Sequence, residues 1–361
     1  MDQLSESTLQ SIKENLKTEA HRLGFSHIGF TNPGTPTHFD TFIDWINKGH
    51  AGSMSYMSRP DTVAKRKDPM LILRSCKSII VLALPYSPSG EEKKNGHLPK
   101  IANYAIGDDY HLVIPRLLDK LVDSIKTEAH PYQIEYRIYT DTGPILEKEF
   151  AQRAGLGWIG KNGCLIIPGA GSNFFLAEIL INLPFEPNIA FEKDLCGKCT
   201  RCLESCPTEC ILSNRTIDAN RCISFLTIEN RGDIAEELRT KMNGWIFGCD
   251  VCQQVCPWNI KFSREPEPNY FQPGENIKNF DLLTEIRLGP SDFKKKYSNS
   301  PILRTKYFGF KRNLLIAAGN HFQTTLTAAI EEIMNNEENP ALRELAGWVL
   351  NVSSNSQGKQ V

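Results

Sequence analysis

Asp194-Leu195-Cys196-Gly197-Lys198-Cys199-Thr200-Arg201-Cys202-Leu203-Glu204-Ser205-Cys206-Pro207 sets four cysteines at the spacing C-x2-C-x2-C-x3-C-P, which wraps a cubane iron–sulfur cluster. Three thiolates this close in sequence can reach three irons of one cubane. The fourth, led away by its proline, is better placed to serve a second cluster. A second run supplies the complement: Cys222, Cys249, Cys252 and Cys256-Pro257. The crossed arrangement assigns Cys196, Cys199, Cys202 and Cys256 to one 4Fe–4S cluster, and Cys206, Cys222, Cys249 and Cys252 to the other. A zinc site favours two C-x2-C pairs across a loop, and the closely spaced Cys202 argues against it. Disulfides are disfavoured by crowding and by the absence of an export signal. A radical enzyme of the C-x3-C-x2-C type is disfavoured because that motif does not occur.

Working outward, 361 residues with 40% hydrophobic and 23% charged composition describe an ordinary protein of two or three domains. The N-terminal segment is amphipathic, without the apolar core of a signal peptide, and no apolar run approaches the roughly 20 residues that span a bilayer. A cytoplasmic protein with no membrane association is expected. A net charge of −1 offers no global attraction to nucleic acid, so any such binding needs a local patch. Before the cysteines, helical and strand patterns alternate. Gly24–Phe30 and Ser78–Leu84 read as strands, the latter buried on both faces. Arg116–Lys126 reads as a helix, Tyr132–Tyr139 as a strand, and Cys164–Ile167 with Phe174–Ile181 as a strand pair. This alternation implies one α/β domain over 1–190. The cysteine segment, 191–265, has too few apolar residues to fold well without its metal. After the Pro-rich linker at 265–269, 266–361 reads as short amphipathic helices, Phe310–His321, Thr325–Met334 and Pro340–Val352, stacked as a helical-repeat tail.

Gly155-Leu156-Gly157-Trp158-Ile159-Gly160 matches G-x-G-x-x-G, yet a dinucleotide fingerprint needs a preceding strand. Here Pro144–Ala154 reads as a helix with Pro144 at its first position and Gly155 at its C-terminal cap. The glycines then suit close backbone approach to a large flat cofactor or a nucleotide. Between Arg287 and Arg312, eight bases (Arg287, Lys294, Lys295, Lys296, Arg304, Lys306, Lys311, Arg312) face one acid, Asp292. Phe293, Tyr297, Tyr307, Phe308 and Phe310 are interleaved. The mixture suits phosphate contacts with stacking on an unpaired base, or alternatively a solvated helical face with its aromatics in the core. Cys76, Cys164 and Cys210 fall outside both cluster sets and read as small apolar residues. His111 reads as a packed or hydrogen-bonded histidine rather than a metal ligand.

Asp141-Thr142-Gly143-Pro144-Ile145-Leu146-Glu147 followed by Arg153–Asn162 closely resembles the epoxyqueuosine reductase family, cobalamin-dependent iron–sulfur enzymes of tRNA queuosine synthesis. The resemblance continues through Tyr104–His111, Arg221–Thr227 and Gly248–Cys252, and covers nearly the whole chain. It implies an α/β cobalamin-binding domain, a bacterial-ferredoxin-like two-cluster module and an α-helical HEAT-like C-terminal segment. The implied reaction is a two-electron deoxygenation of epoxyqueuosine in tRNA to queuosine. The partners are tRNA carrying epoxyqueuosine and an external electron donor of flavodoxin or ferredoxin type, with the protein a monomer. Asp141 resembles the proton donor. Arg66, the backbone around Ala102, Leu165 and Phe175, and Thr208, Asn230 and Asp250 near the clusters resemble cobalamin-contacting positions. An acid at Asp141 would need its pKa raised by burial or by the cofactor's apolar face. The plainer reading of Asp141 is a helix N-cap. No D-x-H-x-x-G occurs, so no histidine is expected on cobalt. Two other functions fit the cysteines: a corrinoid iron–sulfur reductive dehalogenase, disfavoured by the missing export signal and the basic tail, and a ferredoxin-like electron-transfer protein.

Overall fold

The computed structural model describes residues 4–86 and 99–357; the first three residues of the N-terminal reading lie outside them. Among the described residues run eight strands: β1 (His27–Thr31), β2 (Ser78–Pro85), β3 (Lys100–Ile101), β4 (Tyr136–Tyr139), β5 (Trp158–Ile159), β6 (Leu165–Ile166), β7 (Phe174–Ile181) and β8 (Trp245–Phe247). The main sheet has the order β1-β2-β7-β4 and is antiparallel throughout, with Ile28 opposite Leu82, Ser78 opposite Ile181 and Ile138 opposite Ile179. The expected pair of Cys164–Ile167 with Phe174–Ile181 does not form. β7 is claimed by β2 and β4, and β6 pairs instead with β5, inside the glycine-rich stretch.

Both faces of the sheet are covered, as the unbroken apolar run of β2 requires. On one side lie α1 (Glu6–Arg22), capped by the Ser5 hydroxyl on the Thr8 amide at 3.1 Å, and further along α4 (Tyr110–Ala129). Ile12, Leu16, Leu118, Leu121 and Ile125 from these helices meet Ile80, Leu82, Ala177 and Ile179. Between α1 and α4 in the chain come α2 (Phe39–Asn47) and α3 (Pro60–Lys67). The other face packs Ile79, Val81, Ala83 and Leu180 against α5 (Glu147–Arg153). α5 is shorter than its sequence pattern: Pro144 precedes it, and the first helical residue is Glu147. α4 is longer, because Asp109 caps it with an acceptor for the His111 amide at 2.9 Å.

The cysteine segment holds α6 (Arg201–Glu204), α7 (Ile223–Ile228), α8 (Glu236–Arg239), α9 (Val251–Gln254) and α10 (Pro257–Phe262). Beyond it run α11 (Glu275–Lys278), α12 (Leu282–Arg287), α13 (Pro290–Lys296), α14 (Lys306–Asn320), α15 (Thr327–Asn336) and α16 (Pro340–Gln357). The linker at 265–269 separates sequence compositions but not cores. Ile223, Leu226, Trp245 and Phe247 share one apolar cluster with Phe293, Phe310, Leu314, Ile330 and Val349, and β3 of the first segment pairs in parallel with β8.

The basic tail resolves into two populations. Phe293, Tyr297 and Phe310 are buried, so they stack on one another rather than await a base. Lys311 and Arg312, expected to meet phosphate, are buried too. Arg312 donates to the carbonyls of Leu226 at 2.6 Å, Asn230 at 3.0 Å and Gly232. Burial pulls its pKa down to about 10, still well above neutrality. Lys296 is paired with buried Glu285. Arg287, Lys294, Lys295, Arg304 and Lys306 remain exposed.

Candidate functional site

All three segments contribute to one cleft of about 1870 Å³, nearly twice the upper end of ordinary small-molecule pockets. Asp141 stands on its wall, immediately after β4, with φ of 60°. A left-handed backbone is costly for an aspartate and persists only where neighbours enforce it. Three contacts do so: the Asp141 amide donates to Glu147 Oε1 at 2.5 Å, the Thr140 hydroxyl to the Leu176 carbonyl at 2.8 Å, and the Thr142 amide to the Thr140 carbonyl at 2.6 Å. Asp141 therefore does not cap α5; Glu147, in the first turn of that helix, holds it.

The carboxylate projects into the cleft with 62% of its side-chain surface open. Tyr110 donates to Asp141 Oδ2 at 3.0 Å, and His111 Nε2 approaches the same oxygen at 3.4 Å while its Nδ1 bonds Asp109 at 2.7 Å. The surrounding protein pushes the Asp141 pKa up, but the His111 and Tyr110 hydrogen bonds outweigh this and leave it below the ordinary carboxylate value. The expected rise is thus not found at Asp141. Burial alone would lower the pKa of His111, yet Asp109 and Asp141 push it up to about 9, so the ring is cationic at neutral pH. Beneath the loop, burial and the Asp141 charge raise Glu147 to about 8, and its partner Glu178 lies higher still for the same burial and the Glu147 charge. Glu178 is fully buried in the middle of β7, and the neighbouring Glu147 charge adds to the rise in its pKa.

Of the positions expected to contact cobalamin, Arg66, Asp141 and Asp250 line the cleft. Arg66 is buried, with its guanidinium over the Phe42 ring and Nη1 unpartnered. Asp250 accepts the Asn103 amide at 2.7 Å and is raised by burial to about 6. The side chains of Ala102, Leu165, Phe175, Thr208 and Asn230 do not line it. Ala102 sits under Gly248, Leu165 is in the sheet core, and Phe175 stacks behind Tyr110 at 4.4 Å. Thr208 touches Cys206 at 3.7 Å, and Asn230 is spent on its own turn, accepting from Gly232 and donating to Asp233. Their neighbours Tyr104, Cys164 and Glu229 reach the cleft instead. The glycines of 155–160 approach the chain itself rather than a ligand: a Cβ at Gly157 would lie 2.0 Å from the Ile166 carbonyl, and Gly155, with φ of 80°, closes α5.

The cysteines part into two groups in space. Cys196, Cys199, Cys202 and Cys256 ring a separate cavity of about 160 Å³ with Trp158 Nε1 donating to Cys196 Sγ at 3.4 Å. Cys249 lies near Cys206 and Cys222, and Cys252 near Cys249 and Cys222; Cys222, Cys249 and Cys252 border the large cleft. Cys76 and Cys210 are buried as apolar residues would be, Cys210 with its Sγ 3.5 Å from Cys206 Sγ. Cys164 is half-buried, lines the cleft and has its Sγ 3.9 Å from the Asn162 carbonyl. Sequence reading missed Glu178, although a lone acid inside the apolar run of β7 was a visible signal. It also missed that His111 and Asp141 meet.

Two family models match this chain: the 4Fe-4S double cluster binding domain over residues 195–259, and epoxyqueuosine reductase QueG, DUF1730, over residues 66–142. Among curated proteins, the epoxyqueuosine reductase of Cyclobacterium marinum is 36% identical, with 85% of this chain and 97% of that protein covered. That of Aliivibrio fischeri is 37% identical, over 91% of this chain and 89% of that protein. Among solved structures, an epoxyqueuosine reductase with an epoxyqueuosine-modified tRNA-Tyr stem loop superposes with a TM-score of 0.87 at 30% identity, covering 95% of this chain and 90% of that one. The Bacillus subtilis epoxyqueuosine reductase, with its catalytic aspartate loop swung out of the active site, gives 0.85 at 30% identity, with coverages of 95% and 91%. With a shared fold, a double-cluster segment and one-third identity along almost its full length, the chain belongs to the epoxyqueuosine reductase family, oxidoreductases of tRNA queuosine biosynthesis.

Proposed function

We propose that this chain reduces epoxyqueuosine in tRNA to queuosine in the cytoplasm, using cobalamin supplied with electrons by two 4Fe–4S clusters bound with crossed ligands. One observation carries the reading: Asp141, held in a left-handed conformation with a cationic histidine at its back, faces the same cleft that Cys222, Cys249 and Cys252 border. An acid and an electron source thus address one space.

The residues fit both cofactors. The cleft is large enough for a corrin, whose polar substituents Arg66, with Nη1 unpartnered, and the buried Asp250 would hold. Of the histidines lining the cleft, His111 has both ring nitrogens engaged and His38 has Nδ1 paired with Glu149; neither is assigned to the cofactor. Cys196, Cys199, Cys202 and Cys256 would hold the outer cluster and Cys206, Cys222, Cys249 and Cys252 the inner one. Reduced cobalamin, when bound, supplies the two electrons that the deoxygenation consumes.

Deoxygenation to the alkene consumes two protons with its two electrons and releases the oxygen as water, and the chain relays those protons. Breaking the first C–O bond leaves an alkoxide that must be protonated, and the resulting hydroxyl leaves as water only with a second proton. His111 transfers its proton to Asp141 Oδ2, and Asp141 delivers it to the oxygen; the pair, reprotonated from bulk water, delivers the second as the hydroxyl departs. A filled cleft strips Asp141 of solvation, raising its pKa toward the donor range. Tyr110 and Glu147 keep the carboxyl aimed. Lys306, exposed in the cleft lining, and Arg304, exposed there although paired with Glu229 at 2.8 Å, offer positive charge to the tRNA backbone. The test is mass analysis of tRNA nucleosides from a strain lacking this protein. Restoring the wild-type chain should convert epoxyqueuosine to queuosine, and restoring Asp141→Asn should not; unconverted nucleoside with the wild type sinks the assignment.

A further inference from the structure

The 160 Å³ cavity ringed by Cys196, Cys199, Cys202 and Cys256 is distinct from the substrate cleft, and large apolar side chains are left in water around it. Leu195, 38% exposed, and Trp258 line the cavity, with the Trp258 indole N–H on the Leu195 carbonyl at 3.4 Å. Exposed Arg201 lines it as well, and exposed Lys198 precedes Cys199 in the chain. The nearby acids are quieter: Asp194 is paired with Arg215 at 2.5 Å, and Glu204 is bonded to the Thr200 hydroxyl at 2.5 Å. Lys161 is committed to the loop itself, donating to the carbonyls of Gly197 at 2.7 Å and Cys199 at 3.0 Å.

We propose that this face is the docking surface of a small acidic one-electron carrier protein, which feeds the outer cluster while tRNA occupies the cleft. The inference rests on the two-cluster reading above and adds where electrons enter. Transient redox partners use small interfaces, with an apolar centre and a charged rim that steers encounter. Leu195 and Trp258 form the centre, and Lys198 and Arg201 the rim. An anionic RNA would be drawn to the same cations, but it has no use for the apolar centre, and its modified base must reach Asp141. The chemistry balances one electron at a time. A flavin hydroquinone gives up an electron and becomes the semiquinone, the outer cluster passes from its 2+ to its 1+ state, and two such encounters supply the two electrons of the deoxygenation.

The experiment uses the cluster-loaded full chain mixed anaerobically with flavodoxin hydroquinone as the probe, following the bleaching of cluster absorbance. Lys198→Glu with Arg201→Glu should slow the bimolecular reduction at least about tenfold at low ionic strength and flatten its salt dependence. Iron content and the final extent of reduction by excess dithionite should match the wild type. Leu195→Ser should slow the reaction severalfold at high salt, where steering is screened. The proposal is overturned if both variants are reduced at the wild-type rate with the wild-type salt dependence, or if the charge reversal weakens tRNA binding while leaving reduction untouched. A wild-type chain that holds no iron–sulfur cluster would sink the two-cluster reading itself, a different and separately visible failure.

Discussion

The cysteine-ringed cavity and the Asp141 corner are built on opposite principles. Around the cavity, position in sequence decides nearly everything: three ligands fall within seven residues, and the chain only has to bring Cys256 alongside. At the corner nothing is local. Tyr110 and His111 come from the start of α4, Asp141 from the end of β4, Glu147 from α5 and Glu178 from the middle of β7. A metal site tolerates a short, weakly folded segment because the metal contributes folding free energy. A proton-delivery site must be aimed by the finished fold. Damage to the first should therefore appear as lost cofactor, and damage to the second as lost rate with every cofactor in place.

The largest effect belongs to Cys256→Ala. With crossed ligands, the reconstituted wild type should hold about eight irons and the variant about half as many, its cluster on Cys196, Cys199 and Cys202 degraded and turnover abolished. Full iron with unchanged spectra would undo the crossed assignment. Next is Asp141→Asn, which should keep iron and corrinoid yet lose about a hundredfold or more in turnover, the usual range for a general acid. Near-normal turnover at saturating tRNA would reduce Asp141 to a loop residue. A smaller effect, about tenfold, is expected from His111→Gln, because Asp141 loses its neighbouring proton source and must take the proton from water instead.

The pH profile sharpens the same contrast. The raised pKa of His111 means the proton is held at neutral pH and released as pH passes about 9, so turnover should fall on the alkaline side. The stability contributed by the His111 ion pairs runs the same way: it is complete below the ordinary histidine value and lost as pH rises through about 9. Glu147, ionising near 8, adds negative charge beneath the loop and steepens the decline. The limb assigned to His111 should vanish from the kcat profile of His111→Gln, and iron content should stay flat across the range; a limb that persists unchanged would place the proton elsewhere. The smallest effects concern the tail. Lys294→Gln with Lys295→Gln should weaken tRNA binding severalfold and lower its log–log salt slope by somewhat under one for each phosphate no longer neutralised. Arg312→Ala should instead destabilise the protein by about 3 kcal/mol, since three carbonyls lose their donor. Equal effects of the two changes on binding would contradict the division of the basic stretch.

What could be read in advance follows the same line. Ligand spacing is a one-dimensional property, so the eight cysteines proposed as cluster ligands could be picked out in the chain. The long helices α4, α14 and α16 were visible through periodicity, although Asp109 starts α4 earlier than its leucines suggest. The corner was legible only through resemblance, because the meeting of His111 with Asp141 depends on antiparallel pairing that places β4 beside β7. The basic stretch misled for a definable reason: Lys311 and Arg312 lie on a helix buried on nearly all sides, and charge counts carry no information about burial.

Arg312 has one more consequence. By tying α14 to the backbone of residues 226–232, beside the Asn313 bonds to the Thr227 and Ile246 carbonyls at 2.8 Å, it joins the C-terminal helices to the segment that holds the inner cysteines. The two stretches should open and close as one cooperative unit. Oxidative loss of the iron would then be felt far from the metal, as faster amide exchange along α14 and as proteolytic cleavage in helices that contain no cysteine at all.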